Sequence, residues 1–407
     1  MAQPSEQTIL IAGGGPVGLI AALALARQGL PVHVFEAEDR VNDMPRAATT
    51  HAATLEMLDE LGLADEVIRR GLIEPLFRIW DRSSGKLVAE FDFGNLKDET
   101  RYPFAVQCEQ HKIANMTIER LRAFAHATVE FRARVLAVEQ TGDAVEIDVE
   151  SAAGLRKVKG SYLIGADGGR STVRKAMEIE FEGYTHPERF LILTTPFDLG
   201  ANYRGCTRNY FAAPTDWCAL FKVAGDDGKG LWRVLSSTRL EEAEADLLSS
   251  DATEQRLQKF FPKAGRYPIV HRNLYNVHQR VAASFRSGRV FLAGDAAHVN
   301  NPLGGLGLNF GIHDAVELTA LLGRVIRREA APDILDLYDR HRRPLNIEFV
   351  QQQTIANKKR MEEKDPAARA RNFEQLAAIA ADPKAHRAYL LRASLIESVR
   401  KRAAAAA

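Results

Sequence analysis

The sequence predicts a mixed fold, α/β with α+β character. It comprises a Rossmann-like nucleotide-binding domain, an inserted and mostly antiparallel β-sheet domain, and a C-terminal helical region. Three observations predict it. Near the start an apolar run ends in a glycine-rich turn and opens into a helix-like segment; a strand followed by glycine and an acid returns twice further on; and a long stretch of alternating apolar and polar residues separates those two returns.

Thr8 to Ala12 reads as a strand, Gly13-x-Gly15-x-x-Gly18 as a tight turn, and the Ala- and Leu-rich run to Gln28 as a helix whose N-terminus faces an anion. The glycines permit the turn, the approach of backbone to phosphate and the packing of helix on strand. Pro16 suits a first helical turn, where no amide donor is needed, and Val17 follows it inside the cradle. Pro31 to Glu36 is a second strand, and its terminal acid lies near the spacing expected of a ribose-binding carboxylate. The polar loop from Ala37 ends in Arg46, within reach of a bound cofactor.

Thr54 to Leu61 has apolar residues at helical spacing, stopped by Gly62. Phe77 to Phe93 alternates around Ser83-Ser84-Gly85 and reads as a hairpin, the first excursion from the nucleotide domain. Gln110 to Phe124 is helical, and strands between Val129 and Val158 break at Thr141-Gly142-Asp143 and Ala152-Ala153-Gly154. Tyr162 to Gly165 is a buried strand ending at Asp167-Gly168. Within Phe190 to Val270, residues 191–193, 209–211, 217–223 and 231–235 are strands of the inserted sheet. Arg289 to His298 returns to the first pattern at Gly294-Asp295 and leads through Asn301-Pro302 into a helix to about Arg328. From Asp333 the chain is helical, with interruptions expected near Pro344 and Pro366. Lys358-Lys359-Arg360, balanced by Glu362-Glu363, reads as a solvated face, and the terminal alanines as an appended remnant or a frayed end.

A chain of 407 residues divides into two or three domains. We assign 1–75, 98–183 and 275–345 to the nucleotide domain, 76–97 and 184–274 to the inserted domain, and 346–407 to the helical region. A net charge of +1 provides no field to recruit nucleic acid or an acidic membrane. Cys108, Cys206 and Cys218 are too few and too scattered for a disulfide framework or a metal site, and read as reduced thiols in a cytoplasm. No leader pattern and no membrane span is expected.

Gly13 to Gly18, Asp167-Gly168 and Gly294-Asp295 together resemble the single-component FAD-dependent aromatic hydroxylases (flavoprotein monooxygenase group A, typified by 4-hydroxybenzoate hydroxylase). The likeness runs from about Thr8 to Arg343. It implies that the first motif binds the ADP part of FAD, that Asp167-Gly168 serves FAD and nicotinamide, and that Gly294-Asp295 holds the ribityl chain. Arg46 and Gln110 match family positions, and Ala37 and Val135 join the cofactor set. Pro302, Gly305, Leu306, Gly307, Leu308 and Asn309 match the glycine-rich helix start beneath the flavin. This chain departs from the family there: Asn301-Pro302 replaces a proline pair and Leu306 stands where Gln is usual, so the backbone cradle is expected to survive without that side-chain contact. A helix N-terminus at Gly307 places positive potential near the flavin N1–C2 carbonyl edge.

The resemblance implies reduction of FAD by NADH or NADPH, addition of dioxygen, and transfer of oxygen from a flavin C4a-hydroperoxide to a phenolic or heteroaromatic ring. Glu38 and Asp39 tip the expectation towards NADH. Pro302 is assigned a positioning role, and His51 is a base or substrate contact, or else a helix cap. Tyr210 and Trp217 are substrate walls or sheet packing. Arg204, Arg208 and Arg233 are carboxylate binders or solvent-facing strand residues, and Arg204 and Arg233 enter the substrate set. His298 reads as structural. A homodimer is left open. A halogenase is disfavoured because Trp80, Trp217 and Trp232 do not form a Trp-x-Trp-x-Ile-Pro signature. A reductase or dehydrogenase, a Baeyer–Villiger or epoxidising oxygenase, and a non-catalytic flavin module remain as alternatives.

Overall fold

The computed structural model describes residues 7–405. The absence of a leader pattern concerns residues 1–6, which with the last two alanines lie outside the described residues. A six-stranded sheet runs in the order Arg286–Ser287, Val290–Leu292, Tyr162–Gly165, Ile9–Ala12, Val32–Glu36 and Ala127–Phe131. All neighbours are parallel except the first pair. The three central strands are buried throughout, which is why they read as unbroken apolar runs rather than alternations. Ala12 stands opposite both Gly165 and Phe35, and Gly165 opposite Leu292. The three glycine–acid turns therefore open side by side at the carboxyl edge, where sheets of this kind take their ligands.

Helix Pro16–Arg27 leaves the first turn and packs beside helix Gly307–Ile326. Contact is backbone-close. A Cβ on Gly311 would lie 2.7 Å from Val17 Cγ2 and 3.0 Å from Gly294 Cα, and one on Gly18 would fall on the Gly13 carbonyl oxygen. Any side chain at Gly18 would thus wedge the helix away from its strand.

The second sheet has eight strands, in the order His298–Val299, His271–Ala282, Phe181–Thr195, Leu231–Ser237, Cys218–Val223, Arg208–Ala212, Leu76–Asp81 and Lys86–Asp92. It is antiparallel apart from the pairing of Arg208–Ala212 with Leu76–Asp81. Its alternation sorts side chains by face. Leu191 and Leu193 pack with Trp232, Leu257 and Phe260, whereas Phe190 and Ile192 pack with Trp217, Leu303 and Met361 on the side towards the first domain. Helix Ser250–Phe260, which covers the outer face, lies inside a stretch read from sequence as strands and turns. Its buried Thr253, Leu257 and Phe260 are spaced four and then three residues apart on one stripe, a short helical signal that the surrounding alternation masks.

Two further expectations fail. Pro344 does not interrupt its helix: Asp336–Asn346 runs through it, and a π-helical turn at Ile347–Gln351 leads into helix Gln352–Met361. The frayed-end reading also fails over 403–405, where helix Ile396–Ala405 continues. Helices Pro366–Ala381, Pro383–Ala393 and Ile396–Ala405 cover the first hairpin, with Leu376, Leu390 and Ile396 in one cluster with Phe91, Phe93 and Phe349.

Gly18→Ala is expected to lower stability by about 1–3 kcal/mol through overpacking. Gly15→Ala, whose new methyl meets no protein atom within 4 Å, should be nearly neutral in the protein freed of any bound cofactor. Thermal melts of the two variants beside wild type distinguish them.

Candidate active site

The cleft is built from the three turns. Glu36 Oε2 accepts the Gly14 amide at 2.6 Å and its Oε1 accepts the Glu38 amide at 2.9 Å, so the carboxylate is held at the mouth of the glycine turn. Ala37 follows it, and the Ala133 amide donates to the Glu36 carbonyl at 2.8 Å, bringing buried Val135 alongside. Gln110 opens helix Gln110–Leu121, and its amide donates to the Ala47 carbonyl at 3.0 Å, next to exposed Arg46. Asp167 Oδ2 accepts the amides of Thr172 at 2.7 Å and Val173 at 3.1 Å, while its Oδ1 is buried without a partner.

Asp295 is reachable by solvent yet ringed by protein. That surrounding pushes its carboxyl up, while His298 and Arg46 pull it down. Behind it, Asp314 accepts from the Gly294 amide at 3.1 Å, sits 2.6 Å from His298 Nε2, and accepts Arg342 Nε at 2.8 Å. The turn is braced from the core side, leaving the Asp295 carboxylate facing the cleft.

These residues fit FAD. Gly15 borders open space in front of a helix N-terminus, Asp167 offers a buried oxygen with no partner, and Asp295 is a free acceptor further along the same edge. The first amides of helix Gly307–Ile326, those of Gly307, Leu308 and Asn309, have no acceptor within their own helix.

Beyond that helix start lies a pocket of about 680 Å³ including its open mouth. Its floor is His51, Leu303, Gly304 and Leu306; one wall is Phe77, Arg208, Tyr210 and Ala212 from the second sheet; its cover is Arg360, Met361 and Tyr389 from the C-terminal helices. The lining is largely apolar, and two polar atoms in it are buried without partners: His51 Nδ1 and Arg208 Nη1. Both residues are anchored on the Gly304 carbonyl, which accepts His51 Nε2 at 2.8 Å and Arg208 Nη2 at 3.2 Å. A ring nitrogen that donates to a carbonyl carries the proton, so His51 Nδ1 presents a lone pair. Burial, with Arg208 adding to it, lowers His51 to about 3, against the bond to Gly304. Arg208 Nε donates to the Tyr210 hydroxyl at 3.0 Å.

Several expected site residues do not line this pocket. Pro302 does not line the pocket, and its carbonyl closes a turn by accepting the Gly305 amide at 3.0 Å. Asn309 uses its side chain within the protein, accepting the His51 amide at 2.8 Å and donating to the carbonyls of Thr49 at 2.8 Å and Gly305 at 2.6 Å. Trp217 is not a wall: it is 1% exposed and packs edge-on against Phe190, in the layer behind Leu303 and Met361. Arg204 is an exposed turn residue at φ 50°, outside the pocket. Arg233 is buried and donates to the Arg46 carbonyl at 2.9 Å, holding the cofactor loop instead of facing the pocket.

Arg208, read as a solvent-facing alternative, is the buried arginine of the pocket. Its position between Phe77 and Tyr210 follows from the parallel pairing of two strands some 130 residues apart, which no local pattern reveals. The Lys358-Lys359-Arg360 cluster is not a solvated face either. Lys358 is buried in ion pairs with Glu188 and Glu362, and Arg360 lines the pocket; Lys359 alone is exposed. The three cysteines are free and buried, and among the described residues no helix is long and apolar enough to cross a membrane.

A cleft shaped for FAD that ends in a largely apolar pocket fits an FAD-dependent monooxygenase. Comparison with known proteins agrees. The chain is 35% identical over 387 residues to para-nitrophenol 4-monooxygenase of Pseudomonas sp. strain WBC-3, covering 94% of each chain. It is 34% identical to 6-hydroxy-3-succinoylpyridine 3-monooxygenase HspB of Pseudomonas putida strain DSM 28022 / S16, covering 89% of this chain and 90% of that one. The crystal structure of p-nitrophenol 4-monooxygenase PnpA from Pseudomonas putida DLL-E4 superposes with a TM-score of 0.89 at 33% identity, covering 95% of this chain and 99% of the other. Residues 6–353 match the FAD binding domain family, and the chain belongs to it, as a flavoprotein of the aromatic hydroxylase class.

His51 and His313 also shape the acid limb of stability. Burial lowers each to about 3. The unfolded chain takes up these protons near 6.5, so the stabilisation is complete above that pH and is lost as pH falls towards 3. Each contributes a slope of ~1.4 kcal/mol per pH unit in that window. Melting temperature is expected to fall on acidification from pH 6.5, and His313→Asn should flatten the slope.

Proposed function

We propose that this protein hydroxylates a small phenol, using NADH or NADPH and dioxygen, with the phenolic oxygen seated between His51 Nδ1 and Arg208 Nη1. The observation that carries this reading is the pair of unpartnered polar atoms at a largely apolar pocket, on two residues that are both anchored on Gly304 at the start of the flavin-side helix. A phenolate oxygen accepts from the guanidinium, and a neutral phenol donates to the His51 lone pair. The apolar walls suit one ring and exclude water from it. The relatives named for para-nitrophenol and for a hydroxylated pyridine support a single-ring hydroxyarene.

For the cofactor, we assign Gly13, Gly15, Pro16, Val17 and Gly18 to the pyrophosphate, Glu36 to the adenosine ribose, and Ala37 and Val135 to the same end. Arg46, Gln110 and Asp167 line the middle, Gly294 and Asp295 meet the ribityl chain, and Gly305 to Asn309 present backbone amides to the ring edge. When bound, FAD supplies the redox chemistry that places one atom of dioxygen on the ring. The chain's own residues orient the ring: Arg208 holds its oxygen, Tyr210 fixes Arg208, and Leu306, Phe77 and Tyr389 define the slot. Pro302 acts through the Gly305 turn. Glu38 and Asp39 favour NADH, and the inserted sheet carries the substrate wall.

The test is NADH consumption with 4-nitrophenol and related phenols, followed by mass measurement of one added oxygen. Stimulated consumption with oxygenated product is expected. Arg208→Met should raise KM for the phenol about 10- to 100-fold, the loss of a buried hydrogen bond to a charged group. Consumption without oxygenated product points instead to a reductase or dehydrogenase, and no response to any phenol overturns the reading.

A further inference from the structure

We propose that Glu74 is the proton acceptor of the substrate pocket: when a phenolate binds against Arg208, Glu74 takes up one proton, and the buried charge stays balanced. This rests on the phenol reading above. Glu74 is fully buried at the end of strand Leu72–Glu74, behind the guanidinium as seen from the pocket. Its Oε2 accepts Gln107 Nε2 at 2.9 Å and its Oε1 accepts the Thr207 hydroxyl at 3.3 Å. Arg208 Nη1 is 3.9 Å from Oε2, too far for a hydrogen bond, and has no other partner. Without substrate, the two charges offset each other across that gap.

A phenolate on Nη1 adds a second anion beside Arg208, the cation that acts on Glu74, while Arg360, the pocket's other cation, sits in its cover and does not act on Glu74. A buried charge without a counter-charge is costly, and the group that can shed its charge does so. The other groups around the pair are poor candidates. On the pocket side, burial and then the Arg208 charge hold His51 down to about 3, so it resists taking a second buried positive charge, and the Tyr210 hydroxyl already accepts from Arg208. Burial raises the Tyr389 hydroxyl from the C-terminal helices and the Cys206 thiol from the sheet side. Arg78 and Glu90 beyond Cys206 pair with each other at 2.6 Å. Glu74 is different: burial pushes it up to about 7, with Arg208, Gln107 and Thr207 opposing. A phenolate offsets the Arg208 contribution and drives it higher still.

The balance is simple. Phenolate in solution binds with one proton drawn from solvent to Glu74; neutral phenol binds by giving its proton to Glu74, with none exchanged. No bond other than O–H changes.

Calorimetric titration of the FAD-loaded protein with 4-nitrophenol, without reductant and in buffers of different ionisation enthalpy, counts the protons. Uptake of about one proton per ligand is expected at a pH where free 4-nitrophenol is the anion. That should change to release of about one at a pH where both ligand and Glu74 start protonated. Glu74→Gln should bind the anion with no uptake at alkaline pH. Binding without uptake in wild type overturns the role, and uptake persisting in Glu74→Gln overturns its assignment to this residue. Should the variant lose FAD, His51→Gln decides: uptake that persists there supports Glu74, and uptake lost there overturns the assignment in favour of His51. No binding at any pH overturns the phenol reading itself.

Discussion

The structure depends on how closely backbones approach where the parallel strands end. Gly13 lies so near Ala166 that any Cβ would strike its carbonyl, Gly294 would meet Val17, and Gly311 would meet both Val17 and Gly294. These contacts join the first strand, the first helix and the long helix Gly307–Ile326 in one place. The glycine turn and the flavin-side helix are therefore fixed relative to each other, and a single extended ligand can span them. Side chains at this junction would separate the elements by ångströms, a distance comparable to the whole tolerance of a positioned reaction.

The same long helix transmits that placement to the pocket. Asn309, on its first turn, holds the His51 amide and the Thr49 carbonyl, and also the Gly305 carbonyl. His51 and Arg208 then converge on Gly304, one residue before. One asparagine and one carbonyl thus tie together three segments: the loop after the second strand, the helix start, and a strand of the other sheet. The pocket's polar atoms take their positions from the cofactor's own scaffold, so a substrate held by them is registered to the flavin through few bonds.

What was legible in the sequence follows from range. The strand–glycine–acid turns are local patterns with a steric cause, and the structure places all three on one edge. The pocket is assembled from residues near positions 51, 77, 208, 304 and 389, joined by crossovers and a parallel strand pair that leave no periodic trace. Charge was misleading for the same reason. Lys358 beside Glu362 looks like an exposed helical pair, yet Glu188 from the distant sheet completes and buries it. Arg208 looks like a polar strand residue facing water until the C-terminal helices cover it.

The pocket's electrostatics are therefore better understood as a closed account of three groups than as one binding arginine. His51 is held neutral, Arg208 is charged, and Glu74 lies across a gap too long for a hydrogen bond. Had Glu74 closed on Arg208 as a bidentate pair, the guanidinium would have been saturated and the pocket indifferent to anions. Had it been absent, the buried cation would have burdened the fold. The Gln107 amide and the Thr207 hydroxyl hold the carboxylate back from Nη1. That leaves Nη1 without a partner beside a largely apolar pocket, the donor on which the proposed phenolate reading depends.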